Sequence, residues 1–248
     1  MHQSGYKSIL RKMNISSDVI IINQADSFGY EKAKYGKKNV LFLSLPERGV
    51  GLSRNNALMR CTSEIALFAD DDVMYAPKYE DTILAEFRQH PKADIIIFNV
   101  ASTNPDRPEY STKKFKRVRL YNCLRYGTIR IAVRAERIKE KNIHFSLLFG
   151  GGAKYSAGED SLFIAECIRK GLRIYASPIN LGSVDHKTST WFEGYTEKFF
   201  TDKGVFFKHF SPTFSKLMIL QYAVRKNKIY GHEKSFREAL QIMNKGLK

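Results

Sequence analysis

Three places in this 248-residue chain carry side chains able to make or break bonds. The first is Asp70-Asp71-Asp72, which follows the apolar run Ile65-Ala66-Leu67-Phe68-Ala69. Five apolar residues in a row suit a strand buried on both faces, and the acids then fall at its C-terminal edge. In an open α/β sheet that edge is where ligands bind. Three adjacent carboxylates repel one another, so a hard divalent cation is the natural companion. Taken alone, the triplet reads equally as a solvated loop or as acids capping the next helix. The second place is Glu159-Asp160 after Gly158, at the start of a helical stretch, where the helix dipole and free N–H groups favour an anion. Capping alone would account for that pair. The third is His186, and a lone histidine is more often a surface or core residue than a metal ligand.

The elements that must position these residues alternate. A loop and short helix fill 1–14, with Ile9, Leu10 and Met13 on one face. Strands are expected at 18–23 and 40–45, with the polar, Lys-rich residues 24–39 as a surface connection. Residues 46–51 break the second strand, and a helix covers about 52–61. The acid-bearing strand follows, then a helix opened by Pro77 and running to about His90, then the strand 94–100. Strands alternating with helices at short spacing signal βαβ units and a parallel sheet. Residues 102–126 interrupt the rhythm with two prolines and a basic cluster, read as an excursion over one face. A strand over 128–133, a mobile Gly150-Gly151-Gly152 loop, a helix ended by Gly171 and a strand over 173–176 complete the domain. Residues after 190 read as helical and aromatic. The economical division is 1–190 as the catalytic domain and 191–248 as a basic, helical C-terminal region.

Arg48-Gly49-Val50-Gly51-Leu52-Ser53-Arg54-Asn55-Asn56, then the apolar strand into Asp70-Asp71-Asp72, then Gly158-Glu159-Asp160-Ser161-Leu162-Phe163, resembles the family 2 glycosyltransferases. The order of a glycine-containing loop, an R-N helix, a D-x-D-type motif and an E-D pair about 90 residues later is similar to that family's. The resemblance covers about residues 15–190. It implies an α/β GT-A fold: Rossmann-like, a mostly parallel sheet flanked by helices, with a helical C-terminal region. It also implies inverting transfer of a sugar from a UDP- or GDP-sugar to a hydroxyl of a saccharide or lipid-linked saccharide, in bacterial surface polysaccharide synthesis. A Mn²⁺ or Mg²⁺ would stabilise the departing diphosphate, held by Asp72 and Asp70, with His186 as a further ligand. Asp70 or Asp71 would contact the ribose, and Arg54 would lie near the nucleotide or pair with the acids. Asp160 would be the general base, and Glu159 would orient the acceptor. Asn23 and Gln24 stand where the family often has acids that read the base.

One departure is expected to matter. The family begins with an apolar strand ahead of the segment matching His2-Gln3-Ser4, and a doubly wound sheet places that strand centrally. Without it, two strand edges lack partners for their backbone groups. The chain is therefore expected to be a fragment, or to start further upstream.

Composition sets the remaining bounds. Three widely spaced cysteines (Cys61, Cys123, Cys167) argue against a disulfide framework or zinc knuckle and fit a cytoplasmic protein. No apolar run approaches the roughly 18 residues of a membrane span. The net charge of +16 is uneven, with 13 bases against 12 acids in residues 1–100 and 28 against 13 thereafter. The basic half suits an anionic partner, and phenylalanines interleaved with lysines over 199–216 suit either a membrane surface or packing against the domain. Other readings are a nucleotidyltransferase, an inactive fragment or a nucleic-acid-binding protein. The first lacks a phosphate-cradling Gly/Lys loop, and the last lacks a nucleic-acid motif and leaves the acids without a role.

Overall fold

The computed structural model describes residues 3–105, 108–185 and 194–248. It is an α/β fold with two sheets. The first contains β1 (Val19–Gln24), β2 (Gly29–Tyr35) and β3 (Lys38–Leu45) in the order β1-β3-β2. The second is built from β4 (Ile65–Leu67), β5 (Val73–Tyr75), β6 (Ile95–Ser102), β7 (Lys116–Arg117), β8 (Ile131–Arg134) and β9 (Ile174–Val184). Its order is β4-β8-β6-β9-β5, with β7 pairing beside β9. The pairing is more mixed than the sequence suggested: β1–β3 and β6–β9 are parallel, and the remaining pairs are antiparallel.

Residues 24–39 are not only a connection. They contain β2, which forms a hairpin with β3 through Gly36 at φ +59°. The strand escapes sequence reading because it is a solvated edge: Tyr30, Glu31, Lys32 and Lys34 are exposed. Charges on such an edge discourage pairing with other chains.

Helices α1 (Tyr6–Lys12), α2 (Val50–Arg60), α3 (Tyr79–Gln89), α4 (Ala135–Glu140) and α5 (Glu159–Arg169) flank the sheets. α1 spans both: Tyr6 and Leu10 pack with Val40 and Phe42, while Ile9 and Met13 pack with Tyr75, Tyr79 and Ile83. α6 (Glu197–Phe210), α7 (Ser215–Tyr230) and α8 (Phe236–Lys245) pack on one another at the C-terminal end. Phe200, Phe206, Phe207 and Phe210 are buried in the same core as Phe149 and Phe163, so these aromatics pack against the domain.

β1 and β4 are both edge strands, of different sheets. Consecutive residues of each, Val19 to Gln24 and Ile65 to Leu67, line one cavity of about 2500 Å³. A groove on the face of a sheet would be lined by alternate residues. Consecutive lining means that the cavity meets the strands edge-on. The two strands end at the same place, because Gln3 exchanges hydrogen bonds with Asn23 and donates from Nε2 to Asp71 at 3.0 Å.

Candidate active site

The site is organised by one arginine on α2. This short helix begins where Gly49 and Gly51 let neighbouring backbone approach. Val50 N–H donates to Gly151 O at 2.9 Å, and a Cβ on Gly51 would lie 2.3 Å from Ser146 O. The Gly150-Gly151-Gly152 loop is thus held, contrary to the expectation of a mobile loop. Gly150 and Gly152 have φ of +102° and +78°, and a Cβ on Gly150 would strike both Glu159 and Val50 at 2.7 Å. These glycines serve close approach rather than motion.

From α2, buried Arg54 reaches three carboxylates. Nη1 lies 3.1 Å from Glu159 Oε1 and 2.8 Å from Asp160 Oδ1, and Nη2 lies 3.2 Å from Asp70 Oδ1. Its guanidinium also rests 5.4 Å from the centroid of Phe145, which stacks on Phe163 and meets Phe68 edge-on. Burial works against the charge, but Asp160, Asp70 and Glu159 outweigh it and hold the group protonated above its ordinary range. Asn55, the other half of the R-N pair, fixes Phe145 by exchanging two hydrogen bonds with its backbone.

The two carboxylates at the start of α5 differ. Glu159 is largely buried beneath Gly150, and its Oε2 accepts the Gly158 N–H at 3.1 Å. Burial first, and the Asp160 charge second, push its carboxyl up to about 7, with Arg54 opposing. Asp160 is more open to the cavity, at 26% side-chain exposure against 12% for Glu159. It accepts the Thr128 N–H at 3.0 Å and the Thr128 hydroxyl. Thr128 and Phe145 were not singled out in the sequence, and Asn55 entered only as part of the R-N motif. Residue 128 reads as the start of a strand but lies in a 3₁₀ turn (Thr128–Arg130) ahead of β8, and no local signal marks it.

Asp70 and Asp72 are half-buried and Asp71 is exposed, all on the cavity wall. β5 pairs with the end of β9, and Asp185 N–H reaches Asp72 O at 3.4 Å, so the chain leaving β9 passes the triplet. His186 lies outside the described residues. Among the described residues no three acids, histidines or cysteines converge as a ready-made metal cage. Asn23 is buried, and its amide holds Gln3 and Ser44. Gln24 donates to Ser53 Oγ at 2.7 Å and accepts the Gly49 N–H, tying β1 to the start of α2.

This geometry joins the strand-end acids to the helix-start acids through one arginine within a single cavity. The sequence model of Glycosyl transferase family 2 matches residues 7–151, more than half the chain. The chain belongs to glycosyl transferase family 2. The matched stretch contains Arg54 and the acidic triplet, and Glu159-Asp160 lies just beyond it. The fold is similar to that of S. aureus TarS residues 1–349 in complex with UDP-GlcNAc, at 16% identity and a TM-score of 0.66. That alignment covers 97% of this chain and 76% of the other. A further structure of S. aureus TarS is similar at 16% identity and a TM-score of 0.60, covering 90% of this chain and 40% of that one. No curated protein sequence gives a match.

Proposed function

We propose that this family 2 glycosyltransferase transfers a sugar from a nucleotide-sugar donor to an acceptor hydroxyl with inversion, assisted by a divalent metal. The observation that carries the reading is Arg54, whose guanidinium meets Asp160 through Nη1 and Asp70 through Nη2. An inverting transfer needs a base on the face of the sugar opposite the leaving group, and Asp160 is the more accessible of the two helix-start carboxylates. Thr128 and Arg54 fix its rotamer, leaving its exposed edge to take the proton of the acceptor hydroxyl. Glu159 acts as a positioning residue under the glycine loop, holding Arg54 rather than touching the acceptor. Gln24 and Asn23 close the nucleotide side at the ends of β1, beside Asp71.

Asp70 and Asp72 present hard oxygen donors, which fit Mg²⁺ or Mn²⁺. Such ions commonly take one or two carboxylates and complete their shell with substrate phosphate and water. Two carboxylates match that pattern, and His186 is the residue proposed to add a further ligand. When bound, the ion would neutralise the diphosphate as it leaves.

The setting proposed is surface polysaccharide synthesis at the inner face of a cell membrane. No described helix is long and apolar enough to cross a membrane. However, α7 and the residue before it expose Phe214, Leu217, Leu220 and Val224 next to Lys216 and Lys228, a face suited to an anionic lipid surface. UDP-GlcNAc, the compound bound in the TarS complex, is the first donor to test. Calorimetric titration of UDP-GlcNAc and GDP-mannose with and without Mn²⁺ should show metal-dependent binding of one of them. Asp160→Asn should keep that binding and lose transfer by at least about 100-fold, the usual contribution of a general base. Failure to bind any nucleotide sugar, or full transfer by Asp160→Asn, would sink the reading.

A further inference from the structure

Two tyrosines that follow the acidic triplet differ in the surroundings of one atom. Tyr75 of β5 and Tyr79 of α3 are buried, and their rings stack with centroids 4.5 Å apart at 26°. The Tyr79 hydroxyl meets Ser17 Oγ at 2.8 Å. Tyr75 is only 3% exposed, and its hydroxyl is buried without a hydrogen-bond partner among the described residues.

The rest of Tyr75 is satisfied. Its N–H donates to Met13 O at 3.0 Å, and its carbonyl accepts from Asn14 Nδ2 at 3.0 Å. The side chains clustered with the ring include Ile9, Met13 and Ile83, which offer a hydroxyl nothing to bond. A phenylalanine would pack there as well and would avoid the penalty of a buried, unpaired polar group. Packing therefore explains the ring and leaves the hydroxyl unexplained.

The hydroxyl lies within the field of the triplet. Burial first, then Tyr79, Asp70 and Asp72, hold the phenol proton well above its ordinary range. The two carboxylates are thus near enough to act on the group, and the group remains a donor. Arg54 already fixes Asp70, with Nη2 at 3.2 and 3.3 Å from its two oxygens. Asp72 closes the turn that leads into β5, and only Val73 and Met74 separate it from Tyr75.

We infer that the Tyr75 hydroxyl is a positioning donor for the Asp72 carboxylate when that carboxylate holds a divalent cation. The inference rests on the reading of Asp70 and Asp72 as Mg²⁺ or Mn²⁺ ligands given above. A carboxylate that binds a cation through one oxygen keeps lone pairs on the other, and a hydrogen bond there fixes its rotation. The unpaired hydroxyl disfavours the free chain, and its benefit comes only with loading. That is the pattern of a residue kept for function at the expense of stability.

Mn²⁺ titration of the full chain with and without UDP, followed by the spin-resonance signal of the free ion, tests this beside urea unfolding of the metal-free protein. Tyr75→Phe keeps the stacked ring, and Tyr79→Phe is the control because its hydroxyl has Ser17. Tyr75→Phe should weaken Mn²⁺ about tenfold or more, the usual effect of losing a hydrogen bond to a metal ligand. Its urea midpoint should equal or exceed that of wild type. Tyr79→Phe should do the reverse, keeping Mn²⁺ affinity and lowering the midpoint. The inference is overturned if Tyr79→Phe weakens Mn²⁺ equally, or if Tyr75→Phe lowers the midpoint, since the hydroxyl would then serve the free fold. Equal Mn²⁺ binding by wild type and Tyr75→Phe overturns the inference alone. Wild type that binds no Mn²⁺ under either condition overturns the metal reading together with it.

Discussion

Two isoleucine runs of the same length occupy different surroundings in this chain. Ile95, Ile96 and Ile97 of β6 have no exposed surface, with β8 on one side and β9 on the other. Ile20, Ile21 and Ile22 of β1 are only half-buried, because β1 pairs with β3 alone and its other edge faces the cavity. The local pattern is the same and tells the reader that both are strands. It says nothing about how many neighbours each strand has, which is settled by segments far away in sequence. β4 is the counterpart of β1 across the cavity, and its Ile65, Ala66 and Leu67 are also half-buried. The candidate site therefore lies between the open edges of two sheets.

Arg54 holds the two halves together, so its removal should have the largest effect. It stands on α2, which packs on β1, while its three acids belong to the β4 end and to α5. Arg54→Ala would leave Glu159 buried without its counter-charge and should cost about 4 kcal/mol, as when one partner of a buried ion pair is removed. Arg54→Lys should recover little, since one ammonium cannot replace two guanidinium nitrogens facing different carboxylates. Urea unfolding of the two variants measures both. A loss below about 1 kcal/mol for Arg54→Ala would show that the halves do not depend on this link.

The isoleucines test the comparison directly. Ile96→Ala in β6 should cost about 3 kcal/mol, the usual range for a fully buried isoleucine whose site cannot collapse. Ile21→Ala should cost about 1 kcal/mol, because only part of that side chain leaves water on folding. Equal losses in denaturant unfolding would mean that the β1 edge is covered in solution by something the strand order does not show.

Much of this was legible in the sequence, and the failures share a cause. Apolar runs ending in acids or broken by glycine marked β1, β3, β4 and β6, and the ordered motifs placed Arg54, Asp70, Glu159 and Asp160 in one site. The residues that complete it were silent, because Thr128 and Phe145 act through position alone and carry no spacing pattern. β2 was missed because its exposed lysines resemble those of a loop. The glycine loop was misjudged because a glycine needed for close packing looks the same as one needed for freedom. Open edges on β1 and β4 were expected from the family resemblance, and among the described residues both strands stand at the edge of a sheet.

A pH-dependent effect concerns Glu159, which lies at the seam between the halves. Its folded-state carboxyl sits at about 7, raised by burial and by Asp160 above the model-compound value of 4.5. A carboxyl raised on folding contributes stability that is fully present below the unfolded-state value and is lost as pH rises through the folded one. Wild-type stability should therefore fall, relative to Glu159→Gln, across the window from about 4.5 to 7, and the difference should level off above it. Glutamine keeps one oxygen, for Arg54 or for the Gly158 N–H, without the charge that burial penalises. Urea unfolding of the two proteins at pH 5, 6, 7 and 8 gives the profile. A constant difference across this range would mean that Glu159 is ionised throughout, with Arg54 rather than burial setting its charge. The seam would then resist proton uptake, and the charge balance at the base of the site would be independent of pH near neutrality.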